Sequence, residues 1–547
     1  MLPIVSSTTL GVIRSSTTQT LVSGTCSSAQ LSGSDHLKLA SLFDVLEKHV
    51  AFNAAYNSRE REAEHASTCL EGTREEVIRK ISGWVEGNND CPICWLQGPA
   101  GSGKSTVAHT IAKQCDDEQK LAFSFFFSRG KPDRSDTTNF FPTFAHQLAQ
   151  FFPAIQTSMQ HALAGNASIP FQRLDDQIKK LIIDPILTIR EPISPMIVVI
   201  DGLDECGGHE DLVQKLIWLL VDSTPRLPFR FLFMSRPDPH LEQMFESPST
   251  KSKTYFLALR DFSAHDDVRR YLRLHLSEVR ERENQLMRDV PRPWPSRNDL
   301  EVLVKQSEGL FIYVSTLVKF VADRNGLPQQ KLQVVMAAHK GVDTLYDQVL
   351  TEARKFEHFK RVIGAIVYLR EPLPVRELGQ ILRLQSGQIR LALCGCQSIF
   401  TIPDIDTEPV RPYHSSLRDF LTDDNRAKSH FLGPMEHHVF ILVDCLKLIT
   451  TSLENGAESG MHLDYACKNW CYHFSMVLWH RGTINFIESH FDDEMVMFMT
   501  RMEKQLLKPW FYMLGGFNVV GAVCKDCDLV LARMAVGLIF TEFSGVH

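Results

Sequence analysis

The chain has no uninterrupted apolar stretch of the roughly 18 residues needed to cross a bilayer. The nearest candidate, 529–543, is broken by Arg533, so no membrane span is expected. It also lacks a long basic run. Its 58 Lys and Arg face 65 Asp and Glu, for a net charge of −7. General nucleic-acid or membrane-surface binding needs concentrated Lys and Arg and is not expected. No period of 20–50 residues recurs, which excludes an ankyrin, leucine-rich or WD-type array within this sequence. The basic start and long apolar block of a secretory leader are missing. Cysteine is present without a disulfide pattern. The 13 cysteines are odd in number and spread along the chain, which suits a reducing, cytoplasmic setting. Two pairs, Cys91/Cys94 and Cys524/Cys527, have the Cys-x-x-Cys spacing of zinc ligands. They lie far apart, and Cys94 enters an apolar strand-like run, so buried or incidental thiols are the favoured reading.

What remains has ordinary globular composition, 44% hydrophobic and 22% charged over 547 residues. That leaves room for roughly three or four domains. Residues 1–36 form a Ser/Thr-rich lead without helical period, read as disordered. Helical spacing predicts a helix over 37–52 and another over 74–86. For the second, Thr73 and Glu76 suit a capping box, Val77, Ile78, Ile81, Trp84 and Val85 make one apolar face, and Gly87 ends it. Nearly continuous apolar runs at 93–97, 121–127, 196–200, 229–234 and 255–259 predict strands. Helices are expected between them at 104–115, 139–152, 174–189 and 211–221. Strands apolar on both faces and alternating with helices predict a parallel sheet covered on both sides. From 262 the chain reads as helical, with amphipathic stretches at 266–280, 299–322 and 344–354. Within 360–425, three helical stretches (362–369, 375–383, 388–394) precede two short β-prone runs (398–402, 410–413), the outline of a winged helix.

Three segments carry chemistry. Gly98-Pro99-Ala100-Gly101-Ser102-Gly103-Lys104-Ser105-Thr106 contains the full G-x-x-x-x-G-K-[ST] pattern, directly after a strand and before a helix. Its glycines let the backbone wrap phosphate oxygens with N–H groups pointing inward, and the helix adds its positive end. Lys104 is expected on the β- and γ-phosphates, and Ser105 on Mg²⁺. The strand of 196–200 runs into Asp201, expected to hold the same cation through water, followed by Asp204 and Glu205. Either of these two could orient or deprotonate an attacking water. The bland alternative is an acidic solvated loop. The strand of 229–234 delivers Ser235 and Arg236 to the same edge, where an Arg can sense the γ-phosphate. Arg129, after 121–127, is a weaker candidate for that role. His414 is a lone histidine, and such residues are usually structural.

Together GPAGSGKST, IVVIDGLDEC and FLFMSRPD resemble the NACHT domain of signal-transduction (STAND) ATPases, relatives of NOD-like receptors. The stretches at 69–87, 123–130, 307–321, 369–382 and 413–423 resemble the fungal branch of that family. The resemblance implies an AAA+-like α/β core with flanking helices, then a small helical domain, a winged helix and a helical C-terminal region. The expected boundaries are 1–36 lead, 37–92 helical segment, 93–260 NTPase core, 261–345 helical domain, 346–425 winged helix and 426–547 C-terminal region. It further implies ADP held between these parts at rest, with Thr73 and Arg74 near the adenine-ribose end and His414 on phosphate. Exchange for ATP would open the molecule and permit self-assembly. Where related ATPases have Gly-Leu-Pro, this chain has Phe311 in place of the proline.

The resulting expectation is a slow, magnesium-dependent ATP switch that forms homo-oligomers, signals to an unknown partner and acts in fungal immunity or cell death. No base-reading motif separates ATP from GTP. A P-loop kinase and a non-hydrolysing, nucleotide-bound scaffold are the alternatives. A DNA-binding winged helix is disfavoured, because Arg370, Arg376, Arg383 and Arg390 are interspersed with Glu371 and Glu377.

Overall fold

The computed structural model describes residues 46–63, 68–129, 131–207, 210–323, 326–337, 341–455 and 461–478. The Ser/Thr-rich lead, the Cys524/Cys527 pair and most of the C-terminal region lie outside these residues.

At the centre is a five-stranded, wholly parallel sheet of order β2-β3-β4-β1-β5. Its strands are β1 (Ile93–Gln97), β2 (Leu121–Phe126), β3 (Met196–Asp201), β4 (Phe229–Ser235) and β5 (Thr254–Ala258). The apolar runs become strands because both pleat faces are covered, so every second residue meets a helix on one side and its neighbour a helix on the other. One face, including Trp95, Phe123, Phe125, Val198, Ile200, Phe231 and Phe233, packs under the helix Phe140–Phe151 and the mixed α/π helix spanning 174–186. Phe123 stacks on Phe144 with ring centroids 4.3 Å apart. The opposite face, including Cys94, Leu96, Phe126, Ile197, Val199, Leu232 and Met234, packs on Val77, Ile81, Val107 and Ile111. Residues 50–63 run along the edge strand β2. Tyr56 N–H donates to Ser124 Oγ at 3.1 Å, and Ala51 N–H to Thr143 Oγ1 at 2.8 Å. This covers an edge that would otherwise template pairing with another chain, and it brings the short helix α1 (Arg59–Ala63) to the sheet's C-terminal end.

The helix α2 (Glu75–Val85) buries Val77, Ile81 and Trp84 as expected, and Gly87 follows it at φ +89°. The capping box does not form. Thr73 Oγ1 donates to Leu70 O at 2.6 Å, and Arg74, at φ +55°, occupies the cap position. The backbone turns left-handed at Arg74, so the residue before it cannot reach the first helical N–H groups. The helix expected over 37–52 persists among the described residues only at 46–47. It gives way to a turn and a 3₁₀ segment at Phe52–Ala54. The helix after the P-loop is α3 (Lys104–Asp117).

Beyond the sheet the chain is helical: α4 (His265–Arg282), α5 (Arg297–Ser307), α6 (Phe311–Ala322), α7 (Pro328–Ala337) and α8 (Val342–Ala353). The single helix expected over 299–322 is two, broken where Glu308 and Gly309 turn left-handed at φ +50° and +78°. Apolar periodicity runs across that break, which is why the sequence reads through it. There follow α9 (Phe359–Tyr368), α10 (Val375–Leu382) and α11 (Ser386–Ala392), an antiparallel pair β6 (Phe400–Thr401) and β7 (Arg411–Pro412), and α12 (Ser415–Leu421). The long pair α13 (Pro434–Asn455) and α14 (Met461–Leu478) ends the described chain. One contiguous core joins these helices from Ala264 to Phe474. No helix among the described residues is long and apolar enough to cross a membrane.

Candidate functional site

The loop after β1 takes its shape from two glycines. Gly101 and Gly103 stand at φ +72° and +93°, which side-chain-bearing residues rarely adopt. At Gly101 there is also no space for one, since a Cβ would lie 2.0 Å from Ile312 Cγ2. The first residue pairs of α6 close against this loop, with Ile312 N–H donating to Gly101 O at 3.1 Å. Ser102 Oγ donates to Pro99 O at 2.8 Å. The buried Lys104 ammonium donates to Gly98 O and Pro99 O at 2.8 and 2.9 Å. Burial lowers its pKa, opposed by the carboxylates of Asp204 and Asp201.

Parallel pairing carries the other groups to the same edge. Gln97 is level with Ser235, and Phe126 with Asp201. Asp201, 3% exposed, lies near the Ser105 hydroxyl, which favours its charged form. Its Oδ1 is buried and accepts no hydrogen bond. Burial raises its pKa, countered by Ser105, Arg61 and Lys104. A hydroxyl and a carboxylate side by side, with one buried oxygen of unused capacity, is an oxygen donor set suited to a hard cation such as Mg²⁺.

Arg236 is the hub of the far wall. Its N–H donates to Asp204 Oδ1 at 2.8 Å and its Nε lies 3.1 Å from Asp204 Oδ2. Its Nη1 reaches Asp419 Oδ2 at 2.5 Å and its Nη2 donates to Ser415 Oγ at 2.9 Å. Ser415 Oγ in turn donates to Glu205 Oε1 at 3.1 Å. Burial pulls the Arg236 guanidinium down, but Asp419, Asp204 and Glu205 together hold it above the usual arginine range. The Glu205 carboxyl is pushed up by burial and by Asp204. Arg129 joins this wall, its guanidinium donating to Asp204 O at 3.0 Å. His414 caps α12, with Nδ1 accepting from Ser416 N–H at 3.0 Å, which leaves Nε2 as the N–H side of a neutral ring. Burial, then the cations Arg236 and Lys104, lower its pKa to about 4.

Thr73 and Arg74 are both buried at the other end. Arg74 Nη2 donates to Ser102 O at 2.7 Å, its backbone N–H donates to Asp267 Oδ2 at 3.1 Å, and its guanidinium lies 5.1 Å from the Phe311 ring. The structure thus gathers Thr73, Arg74, the loop, Asp201, Asp204, Glu205, Arg236 and His414 around one cavity of about 1200 Å³. Cys91 and Cys94 take no part in it. Cys94 is fully buried in β1, and no cluster of three or more His, Cys, Asp or Glu among the described residues could hold a metal.

A parallel sheet with this loop between β1 and α3, and an acidic end on β3 across β4, decides the fold. It is a P-loop NTPase fold. Residues 72–236 match the family described as Nephrocystin 3, N-terminal, a stretch running from just before Thr73 to Arg236. A comparison with curated proteins finds no matching relative. Among solved structures, a STAND protein with a tetratricopeptide repeat sensor from Pyrococcus horikoshii is 13% identical (TM-score 0.38), over 85% of this chain and 59% of that one. This chain therefore spans under two thirds of that protein's length. Cdc6p from Pyrobaculum aerophilum is 16% identical (TM-score 0.30), over 65% of this chain and 86% of that one. Drosophila ORC bound to DNA is 12% identical (TM-score 0.24), over 89% and 98% respectively. Likenesses this distant carry no argument about what the chain binds.

Several cavity residues escaped the sequence reading. Ser415 and Asp419 follow His414 at one-turn spacing on α12, and that i, i+4 relation on a helix next to a candidate histidine was an available signal. Tyr271 and Lys319 sit inside ordinary amphipathic helices, where nothing marks them. Arg61 sits in a charged stretch without a motif and reaches the cavity only because 50–63 follows β2.

Proposed function

We propose that the chain is a nucleotide-controlled switch of the NACHT and NOD-like kind, binding ATP or ADP with magnesium at the P-loop. The observation that carries this reading is Arg236. It sits at the end of a sheet strand, bonds the acidic loop of its own sheet, and bonds α12 some 180 residues later. A triphosphate seated on Gly98–Thr106 would meet charges from both halves of the molecule, so its terminal phosphate can alter how tightly they close. In this reading Lys104 and Arg236 bind phosphate, and Ser105 and Asp201 hold Mg²⁺. Asp204 or Glu205 handles the attacking water, and His414 donates from Nε2 toward phosphate. Magnesium supplies charge neutralisation when bound, while the chain's residues orient the phosphates and keep water out. The three helices and hairpin of 359–412 are read as the winged helix of the 346–425 domain, and 261–345 as the helical domain.

Hydrolysis is slow in this proposal, the output being conformation and homo-oligomer assembly in the cytoplasm, in a pathway of the fungal immunity or cell-death type. The cavity, at about 1200 Å³, is somewhat larger than the about 300–1,000 Å³ usual for ligand sites. Within it the protein already engages its acidic groups with its own cations, which suits a resting state better than a kinase awaiting an acceptor. Lys104→Ala decides the reading. It should abolish binding of a fluorescent ADP analogue and any nucleotide-dependent change in native mass. Nucleotide binding and assembly that survive the substitution would overturn the proposal.

A further inference from the structure

We propose that Arg61 and the divalent cation compete electrostatically for the Asp201 carboxylate, so that Arg61 is a positioning residue that sets how much magnesium the site requires. This inference rests on the nucleotide-switch reading and concerns the same P-loop site. Three features of the geometry carry it. First, α1 is pinned. Glu60 receives Lys131, Arg134 Nη1 at 3.1 Å and Arg411 Nη2 at 3.1 Å, so this residue is fixed between the β2–helix loop and β7 of the hairpin. Second, the next residue along the helix turns toward the sheet. Arg61 Cζ lies 4.4 Å from the centre of the Phe126 ring, a cation–π seat. Third, Phe126 and Asp201 are register partners on adjacent parallel strands, so their side chains project from the same face of the sheet.

That seat puts the guanidinium on the sheet face from which Asp201 projects, and both line the cavity with Ser105 and Lys104. Asp201 has one buried oxygen, Oδ1, that accepts no hydrogen bond. A cation held by Ser105 and Asp201 must approach that same carboxylate. Two positive groups competing for one buried carboxylate repel each other where screening is weak. Metal binding therefore drives Arg61 away from Asp201, and Arg61 in place opposes the metal. Because Glu60 is bonded to Arg411, a shift of the β6–β7 hairpin is transmitted to the helix that carries Arg61.

The test titrates Mg²⁺ into protein holding a fluorescent non-hydrolysable ATP analogue, for wild type, Arg61→Ala, Arg61→Gln and Arg61→Lys. Mn²⁺ binding followed by electron paramagnetic resonance is a second readout independent of turnover. The half-saturating Mg²⁺ concentration should fall about fivefold or more in the Ala and Gln variants, the lower end of ordinary coupling between linked sites. Arg61→Lys, which keeps the charge, should stay near wild type. An unchanged or increased Mg²⁺ requirement in the neutral variants overturns the inference. Arg61→Gln keeps part of the stem over Phe126 and decides the matter should the alanine variant fail to fold. A wild-type protein that binds no nucleotide overturns the switch reading itself. Nucleotide binding with unaltered metal demand overturns only the role of Arg61.

Discussion

Asp419→Ala removes the one carboxylate by which α12 holds the sheet's Arg236. The pair is close, 2.5 Å between Nη1 and Oδ2, and the side chains are 24% and 23% exposed. It is therefore neither a solvated surface pair, worth about 0–1 kcal/mol, nor a sealed one whose disruption costs about 3–5 kcal/mol. A hydrogen bond to a charged group contributes about 1.5–3 kcal/mol. Arg236 retains Asp204 and Glu205 after the substitution, so no uncompensated cation is left and the lower part of that range applies. A loss of about 2 kcal/mol corresponds to roughly thirtyfold in the equilibrium between closed and open arrangements. If closure retains the nucleotide, Asp419→Ala should release a fluorescent ADP analogue about 10–30 times faster in a stopped-flow chase. Ser415→Ala, which loses a neutral partner of Arg236 at 2.9 Å, should have a smaller effect. An unaltered release rate in folded Asp419→Ala protein would refute the link between α12 and nucleotide retention.

Gly101→Ala should be more damaging than its size suggests. The new Cβ would overlap Ile312 Cγ2 at a backbone φ of +72°, and strain plus overpacking cost about 2–4 kcal/mol, readable as a lower thermal midpoint. His414 gives a pH signature. Its folded pKa of about 4 lies below the ordinary 6.5, so between these values the unfolded chain binds a proton that the folded chain refuses. Its contribution to stability is complete above pH 6.5 and is lost as pH falls toward 4. His414→Gln should flatten the pH dependence of the unfolding free energy from urea melts in that window by about 2 kcal/mol. His437, also lowered to about 4 by burial, keeps part of the slope in the variant, and an identical profile would refute the assignment.

Much of the architecture was legible because local and global signals agree. The five strands begin and end within a residue or two of the apolar runs, since strands covered on both faces tolerate few polar residues. The loop at Gly98–Thr106 and the strand end at Asp201 could be placed because short-range stereochemistry dictates both. Failures came where the chain leaves the regular pattern. The Thr73–Glu76 box did not form because Arg74 turned left-handed to reach Ser102 and Asp267, contacts 28 and 193 residues away. The break at Glu308–Gly309 was invisible because apolar spacing on both sides belongs to one core.

The sequence alone determined the glycine-rich loop between β1 and α3, the carboxylate at the end of β3 and the parallel, two-faced sheet, because each depends on backbone freedom or on apolar patterning among near neighbours. Only the tertiary structure decided that Arg236 bonds Asp419, that α6 closes on Gly101, and that Arg61 sits over Phe126, the register partner of Asp201. Those pairings join residues about 65 to 210 positions apart. They depend on how helices pack against one edge of the sheet, and no local pattern encodes that.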